Sequence, residues 1–383
     1  MSSSTTDARA EPGREAQMAT RVAFFIGGFA MSAWAPMVPL AKARAALSEG
    51  SLGLLLLGLG AGSILAMPLA GYLCARFGCR RVILTAGLGI CLILPLLATV
   101  SALPWLVLAV LVFGASLGSL DCAMNIQAVL VEKASGRAMM SGFHGLFSVG
   151  CIAGAAGMTG LLSLGLAPLA AVCGVIVLTL LALFKAAPHL LPYGNDSDGP
   201  LFAWPRGIVL FLGALCFIVF LTEGAMLDWS AVYLVSWRDM DPTYAGLGYA
   251  AFATTMTIGR LTGDAIVSRL GGARVTIAGG LLAAVGLALS LWVPAWEAAL
   301  LGYALVGAGC SNIVPVLYSA VGRQTSMPQS AAIPAMTSLG YAGILMGPAA
   351  IGLLAHLSDL SVALGSLILL LLFVAASGRY LRT

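Results

Sequence analysis

Apolar runs about as long as a membrane is thick alternate with short polar breaks along almost the whole chain. They cover residues 21–40, 51–73, 82–100, 104–131, 139–162, 166–187, 207–235, 244–268, 275–293, 297–321, 330–355 and 359–379. About 20 apolar residues in a helix cross a bilayer's hydrocarbon core. Each run therefore reads as a spanning helix, and the pattern predicts twelve. The longest polar connection, 188–206, falls between the sixth and seventh spans. Residues 1–20 are polar and lack the apolar core of a signal peptide. Asp7, Glu11 and Glu15 argue against an organellar transit sequence. The expected layout is a disordered cytoplasmic tail at 1–20, a six-helix half at 21–187, a cytoplasmic linker at 188–206 and a second six-helix half at 207–383.

The two halves echo each other. Arg76-Phe77-Gly78-Cys79-Arg80-Arg81-Val82 returns as Arg269-Leu270-Gly271-Gly272-Ala273-Arg274-Val275, an offset of 193 (269 − 76). The same offset pairs Gly53 with Gly246, Gly114 with Gly307, Gly150 with Gly343 and Gly154 with Gly347. One offset serving four separate regions, each at its expected span, marks an internal repeat.

Composition sharpens the class. The chain of 383 residues is 60% hydrophobic and 9% charged, with a mean hydropathy of +1.01. An ordinary soluble domain carries about 25% charged residues. A cytosolic enzyme, a nucleic-acid binder and a disordered chain are excluded. The net charge of +4 comes from asymmetry rather than from an acidic partner. With the N-terminus inside, fifteen Lys/Arg fall on the cytoplasmic side, and only Lys42, Arg44 and Arg238 outside. Both termini are then cytoplasmic. Trp105, Trp204, Trp237, Trp292 and Trp296 sit at predicted span ends, where interfacial rings belong. The eight cysteines show neither metal-ligand spacing nor a disulfide ladder and read as small packing residues. No cofactor or metal site is expected.

Two six-helix halves in parallel repeat resemble the major facilitator superfamily, whose halves rock about a midplane site. The 71–81 stretch GYLCARFGCRR resembles that superfamily's helix 2–3 loop signature. The resemblance makes Arg76, Arg80, Arg81 and their repeat partner Arg269 gating residues. The family usually has Asp where this chain has Ala75, which puts the first-half latch in doubt. Arg260 and Asp264 stand at i, i+4 on one helix face. By resemblance they are gate charges near the cytoplasmic mouth; an ion pair tying the eighth span to a neighbour is the alternative.

Four acidic residues lie within predicted spans: Asp121, Glu223, Asp228 and Asp264. An intramembrane carboxylate is expensive and is a functional candidate by default. Counted from Val131, Asp121 lies about 15 Å deep, near the bilayer centre, where it can serve as a proton carrier or a substrate ligand. The alternative is a polar residue that holds the bundle together. The segment SLDCAMNIQAVLVEKASGRAMMSGFHGLFSVG resembles the fucose–galactose–glucose:proton symporter branch over about 35 residues; the rest matches as general architecture. That resemblance implies that Asp121 is the proton-linked carboxylate and Asn125 the Asn one turn on. It places His144 near a sugar-contacting Gln. The branch also has an Asp in helix 1, where this chain has Ala35. Glu223 or Asp228 can substitute, and because they stand about 140° apart on a helix only one faces the cavity directly.

His144 either relays protons or packs between helices. Asn312 is near mid-depth, followed by Pro315 and Tyr318 on a span that proline is expected to bend. Trp34 and Trp229 are intramembrane rings, either stacking floors for a substrate or core. The fifth span lacks the Gly-Pro pair of antiporter branches, although Gly347-Pro348 supplies one in the eleventh.

The expected function is proton-coupled symport of a small polar solute, sugar or sugar-like, by a monomer in the plasma or inner membrane. Its partners are the lipid bilayer, protons and the solute, with no nucleic acid. The alternatives are an efflux antiporter on the same fold and a transport-inactive sensor or scaffold. A membrane-embedded enzyme is not expected, because the three His form no Ser-His, HExxH or Walker pattern.

Overall fold

The computed structural model describes residues 12–194 and 203–381. Twelve helical spans follow one another among them. They are α1 Arg14–Arg44, which tightens into a 3-10 turn at Ala35–Met37, α2 Glu49–Phe77, α3 Cys79–Thr99, α4 Leu103–Ser135, α5 Met140–Ser163 and α6 Pro168–Ala186. After the linker come α7 Ile208–Arg238, α8 Leu247–Leu270, α9 Gly272–Trp292, α10 Trp296–Arg323, α11 Gln329–Leu357 and α12 Leu360–Ser377. Eleven of these are long and apolar enough to cross a membrane. The exception, α8, has 24 residues and is diluted by Arg260, Asp264 and Arg269. Leu65, Leu92, Phe184 and Leu369 stand at least 70% exposed along the spans, as lipid-facing side chains do. Trp105, Trp204, Trp237, Trp292 and Trp296 are exposed as well.

Small residues let the helices approach closely. A Cβ at Gly114 would lie 2.1 Å from the Leu59 carbonyl oxygen, and one at Gly307 would lie 2.1 Å from that of Phe252. Both contacts recur at the offset of 193 (307 − 114; 252 − 59). The α2–α4 and α8–α10 crossings are thus one crossing built twice. Gly114→Val is expected to force these backbones apart and to cost about 1–3 kcal/mol or more. A lowered melting temperature of the detergent-solubilised protein is the readout; an unchanged melt would contradict the crossing. The turns after α2 and α8 also repeat, with Gly78 at φ +86° and Gly271 at φ +79°, where a side chain would be strained.

Two of the three predicted outer cations have a structural reason to be there. Arg44, at the end of α1, donates to the carbonyls of Leu97 (2.7 Å) and Val100 (3.0 Å) at the C-terminus of α3. Arg238, at the end of α7, donates to Ser290 (2.9 Å) and Leu291 (2.7 Å) at the C-terminus of α9. Each guanidinium satisfies orphan carbonyls at the negative end of a helix dipole.

The first helix begins earlier than the polar composition predicted. Residues 14–20, expected in a disordered tail, are helical. Ala16, Ala19 and Thr20 are buried, the Thr20 hydroxyl accepts from Gln127 Nε2 at 2.9 Å, and Glu15 pairs with His189 at 2.9 Å. The start of the 188–206 linker is also ordered. Leu191 N–H donates to Gln127 Oε1 at 3.1 Å, while Cys79 and Arg80 donate to the carbonyls of Tyr193 and Leu191. Residues 1–11 and 195–202 of the predicted tail and linker lie outside the described residues.

Candidate functional site

Three charged residues sit at mid-helix. Glu223 is 15 residues from either end of α7, Arg260 is 13 and 10 residues from the ends of α8, and Asp121 is 18 and 14 residues from those of α4. Arg260 is therefore central rather than at the mouth, because α8 continues to Leu270. Its side chain is 8% exposed and that of Glu223 15%; Nη2 meets Glu223 Oε1 at 3.0 Å. Nη1 reaches across to Ser148 Oγ on α5 at 3.1 Å.

The third contact of the guanidinium has its origin in a proline. In a continuous helix the N–H of residue 315 would bond to the carbonyl of residue 311. Pro315 has no N–H, so the Ser311 carbonyl is free, and Arg260 Nε takes it at 3.4 Å. The helix breaks at Ser311–Asn312, and Pro315 itself lies in the first turn of the segment that resumes at Ile313, where its missing donor costs nothing. The bend expected at Pro315 is thus displaced to the residues before it.

Asp121 is partly exposed, whereas residues 122–129 after it are buried. The Tyr341 hydroxyl of α11, from the opposite half, faces its carboxyl group. Asn125 Nδ2 folds back on the same helix to the Asp121 carbonyl (2.9 Å) and Oδ1 (3.4 Å).

The other predicted residues divide into two groups. His144 lies one turn from Ser148, whose hydroxyl donates to the His144 carbonyl at 3.3 Å. Its ring is buried between Phe24 and Tyr318, at centroid distances of 5.2 and 5.4 Å. Asn312 donates to the Gly259 carbonyl at 3.0 Å, and Tyr318 shares a 2.9 Å hydrogen bond with Thr337. Asn312 thus reaches the residue before Arg260, while Tyr318 packs on the His144 ring. Trp34, by contrast, is buried edge-on to Phe113 with its ring centroid 6.5 Å away, a packing role. Trp229 is half-buried beside Gly352. Asp228 is exposed and does not join the Arg260 cluster; the 140° rotation leaves Glu223 as the inward carboxylate.

The halves meet along α2 and α11, at Gly60 against Leu345 past mid-helix, and again at the end that carries the Arg76–Arg81 turn. There α2 meets α11, with Gly71 against Ser330 and Pro334. Nearby α4 meets α10, where Ser319 donates to Glu132. Glu132 also accepts from the N–H groups of Met139 and Met140, both at 2.8 Å. From the facing half, Asp264 accepts from Gly142 N–H at 3.0 Å. Met139 offers no acceptor at the start of α5, so two carboxylates cap that helix, one from each half. Asp264 does not pair with Arg260 but holds α8 to α5. At the other end, α1 and α7 make almost no close contact and stand apart.

Arg76 donates to the Tyr72 hydroxyl at 3.1 Å. With Arg80 and Arg81 it lines a recess of about 620 Å³ beside Pro192–Gly194. Arg269 is exposed. The sequence reading missed Ser148, Tyr341 and Glu132. The repeat held the signal for two of them, since Ser148 and Tyr341 are themselves 193 apart (341 − 148).

No protein-family model matches the chain. An uncharacterised MFS-type transporter of Yersinia pestis is 56% identical over 370 residues, covering 96% of each chain. The chain belongs to the major facilitator superfamily. Another relative of this facilitator, membrane protein MosC of Rhizobium meliloti, is 30% identical over 96% of this chain and 89% of its own. Among solved structures, the fucose:proton symporter of E. coli has the same fold, with a TM-score of 0.81 at 17% identity over 96% of this chain and 98% of that one. A bacterial homologue of the iron transporter ferroportin, in an outward-facing state, gives 0.70 at 14% identity over 95% and 99%. The facilitator is thus a multi-pass membrane transporter with two pseudo-symmetric six-helix halves.

Proposed function

We propose that this facilitator is a proton-coupled symporter of a small polar, sugar-like solute, and that Asp121 carries the proton. One observation carries the reading. A carboxylate at the middle of α4 is partly exposed and is faced by the Tyr341 hydroxyl from the opposite half. A group in that place exchanges protons with whichever side the cleft opens to, and its partner changes when the halves rock. Glu223, locked to Arg260, is a second acidic group that can respond to the first. The positive-inside rule puts the Arg76–Arg81 end and both termini in the cytoplasm of a plasma or inner membrane. The conformation described is then outward-facing.

The reading is tested in proteoliposomes with an internal pH dye and a panel of sugars, polyols and sugar acids. A saturable, solute-dependent acidification is expected. Saturable solute uptake without any proton signal would make the protein a uniporter.

The closed cytoplasmic end gives a separate test. Asp264→Ala removes the cap that the second half places on α5, at a cost of about 1 kcal/mol. That corresponds to a roughly fivefold shift toward the inward-open population. Spin labels at the exposed positions Arg137 and Arg269 are expected to gain a longer-distance population in the variant. Identical distance distributions would show that the cap does not hold the gate.

A further inference from the structure

Arg260 is the only charged residue among the buried polar side chains of the described chain. Its two terminal nitrogens are split between unlike partners. Nη2 takes one oxygen of Glu223 from its own half, and Nη1 takes the Ser148 hydroxyl from the other. A guanidinium fork fits a carboxylate better when one planar anion takes both nitrogens at once. The single-point contact to Glu223 and the neutral contact to Ser148 are both weaker than such a bidentate pair. Both residues are partly exposed, so a solute reaches the buried guanidinium by displacing them.

We infer that the transported solute carries a carboxylate, and that this carboxylate replaces Glu223 and Ser148 on the Arg260 guanidinium. This rests on the transporter reading above and names the substrate class.

Charge balance supplies the coupling. Glu223 is faced by Arg260 and Tyr249 from α8, Cys151 from α5, Cys310 from α10 and Cys216 from its own helix. Arg260 is the only cation among them. If the solute anion docked while Glu223 stayed ionised, two negative charges would share one guanidinium. In a site of low dielectric that arrangement is costly. A proton that Asp121 takes up from the outer cleft and passes on to the Glu223 carboxylate removes the conflict. One solute anion and one proton then enter together, and the site keeps the charge it had. Because the solute also displaces Ser148, docking cuts a tie between the halves. Occupancy at Arg260 therefore favours the rocking motion that delivers the solute.

The test uses purified full-length protein and matched probes: D-glucuronate and D-gluconate against D-glucose and D-sorbitol. Binding is read by thermal stabilisation, and transport by flux with an internal pH dye. The acids are expected to stabilise the wild type, with affinity that falls as pH rises. Glu223→Gln mimics the protonated carboxyl. It is expected to bind the acids about tenfold more tightly, without pH dependence and without proton uptake. Glu223→Gln/Arg260→Gln removes both charges and so leaves no unpaired ion to unfold the protein; it is expected to lose acid binding.

If the neutral sugars bind and drive proton uptake while the acids do neither, the carboxylate inference fails and the symporter reading stands. Acid binding that persists unchanged in the double variant also overturns the inference. No saturable flux of any probe through folded wild-type protein overturns both.

Discussion

Asp121→Asn abolishes solute-driven proton uptake, by roughly a hundredfold or more, while the protein still folds and still binds solute. The substitution is nearly isosteric. The side-chain amide keeps an oxygen facing the Tyr341 hydroxyl and leaves the backbone bond from Asn125 untouched. What it removes is the capacity to take and release a proton. If Asp121 only held the bundle together, the amide would serve as well, and coupled flux would survive. Two measurements separate the readings: the melting temperature, expected within a few degrees of wild type, and the pH-dye signal during uptake. A proton signal of normal size would remove Asp121 from the mechanism. The companion Tyr341→Phe is expected to be milder, because it removes only the hydroxyl that faces the carboxyl group, and a hydrogen bond to a charged group is worth about 1.5–3 kcal/mol. Coupling would then persist with a displaced pH profile.

The order of the helices was legible because bilayer thickness and helical rise leave little freedom. Their ends were less so. Residues 14–20 look polar in sequence, yet they continue α1, since Ala16, Ala19 and Thr20 find partners that no local pattern announces. Depth was legible in part. Counting residues along α4 puts Asp121 near the middle of its helix, whereas Arg260, expected near the cytoplasmic mouth, is central in α8. Partnership was not. That Arg260 binds Glu223 instead of its i+4 neighbour Asp264 depends on how α7, α8 and α5 rotate about their axes. That rotation is set by close contacts such as Gly307 on Phe252. Glu132 went unnoticed because at a span end it looks like an ordinary interfacial acid. Only the fold brings it under Met139 and Met140 and across to Ser319. For Trp34, which the sequence left open between a substrate platform and core, the ring packs edge-on against Phe113.

The Arg260–Glu223 pair has a second large effect, visible in stability before any transport is measured. Arg260→Gln leaves a nearly buried carboxylate without its cation, and breaking a pair of this kind costs roughly 3–5 kcal/mol. Glu223→Gln leaves the guanidinium held by Ser148 and the Ser311 carbonyl, so it is expected to be milder. In Glu223→Gln/Arg260→Gln no charge remains unpaired, and most of the loss should return, which gives a strongly non-additive cycle. Denaturation curves in mild detergent read this directly. Additive losses in the cycle would mean that the two charges are separately solvated and that the contact is incidental. Recovery in the double variant would mean that the bundle can stand without the pair. A costly ion pair that the fold can do without, placed at mid-helix and tied to both halves, is then explained by what it binds.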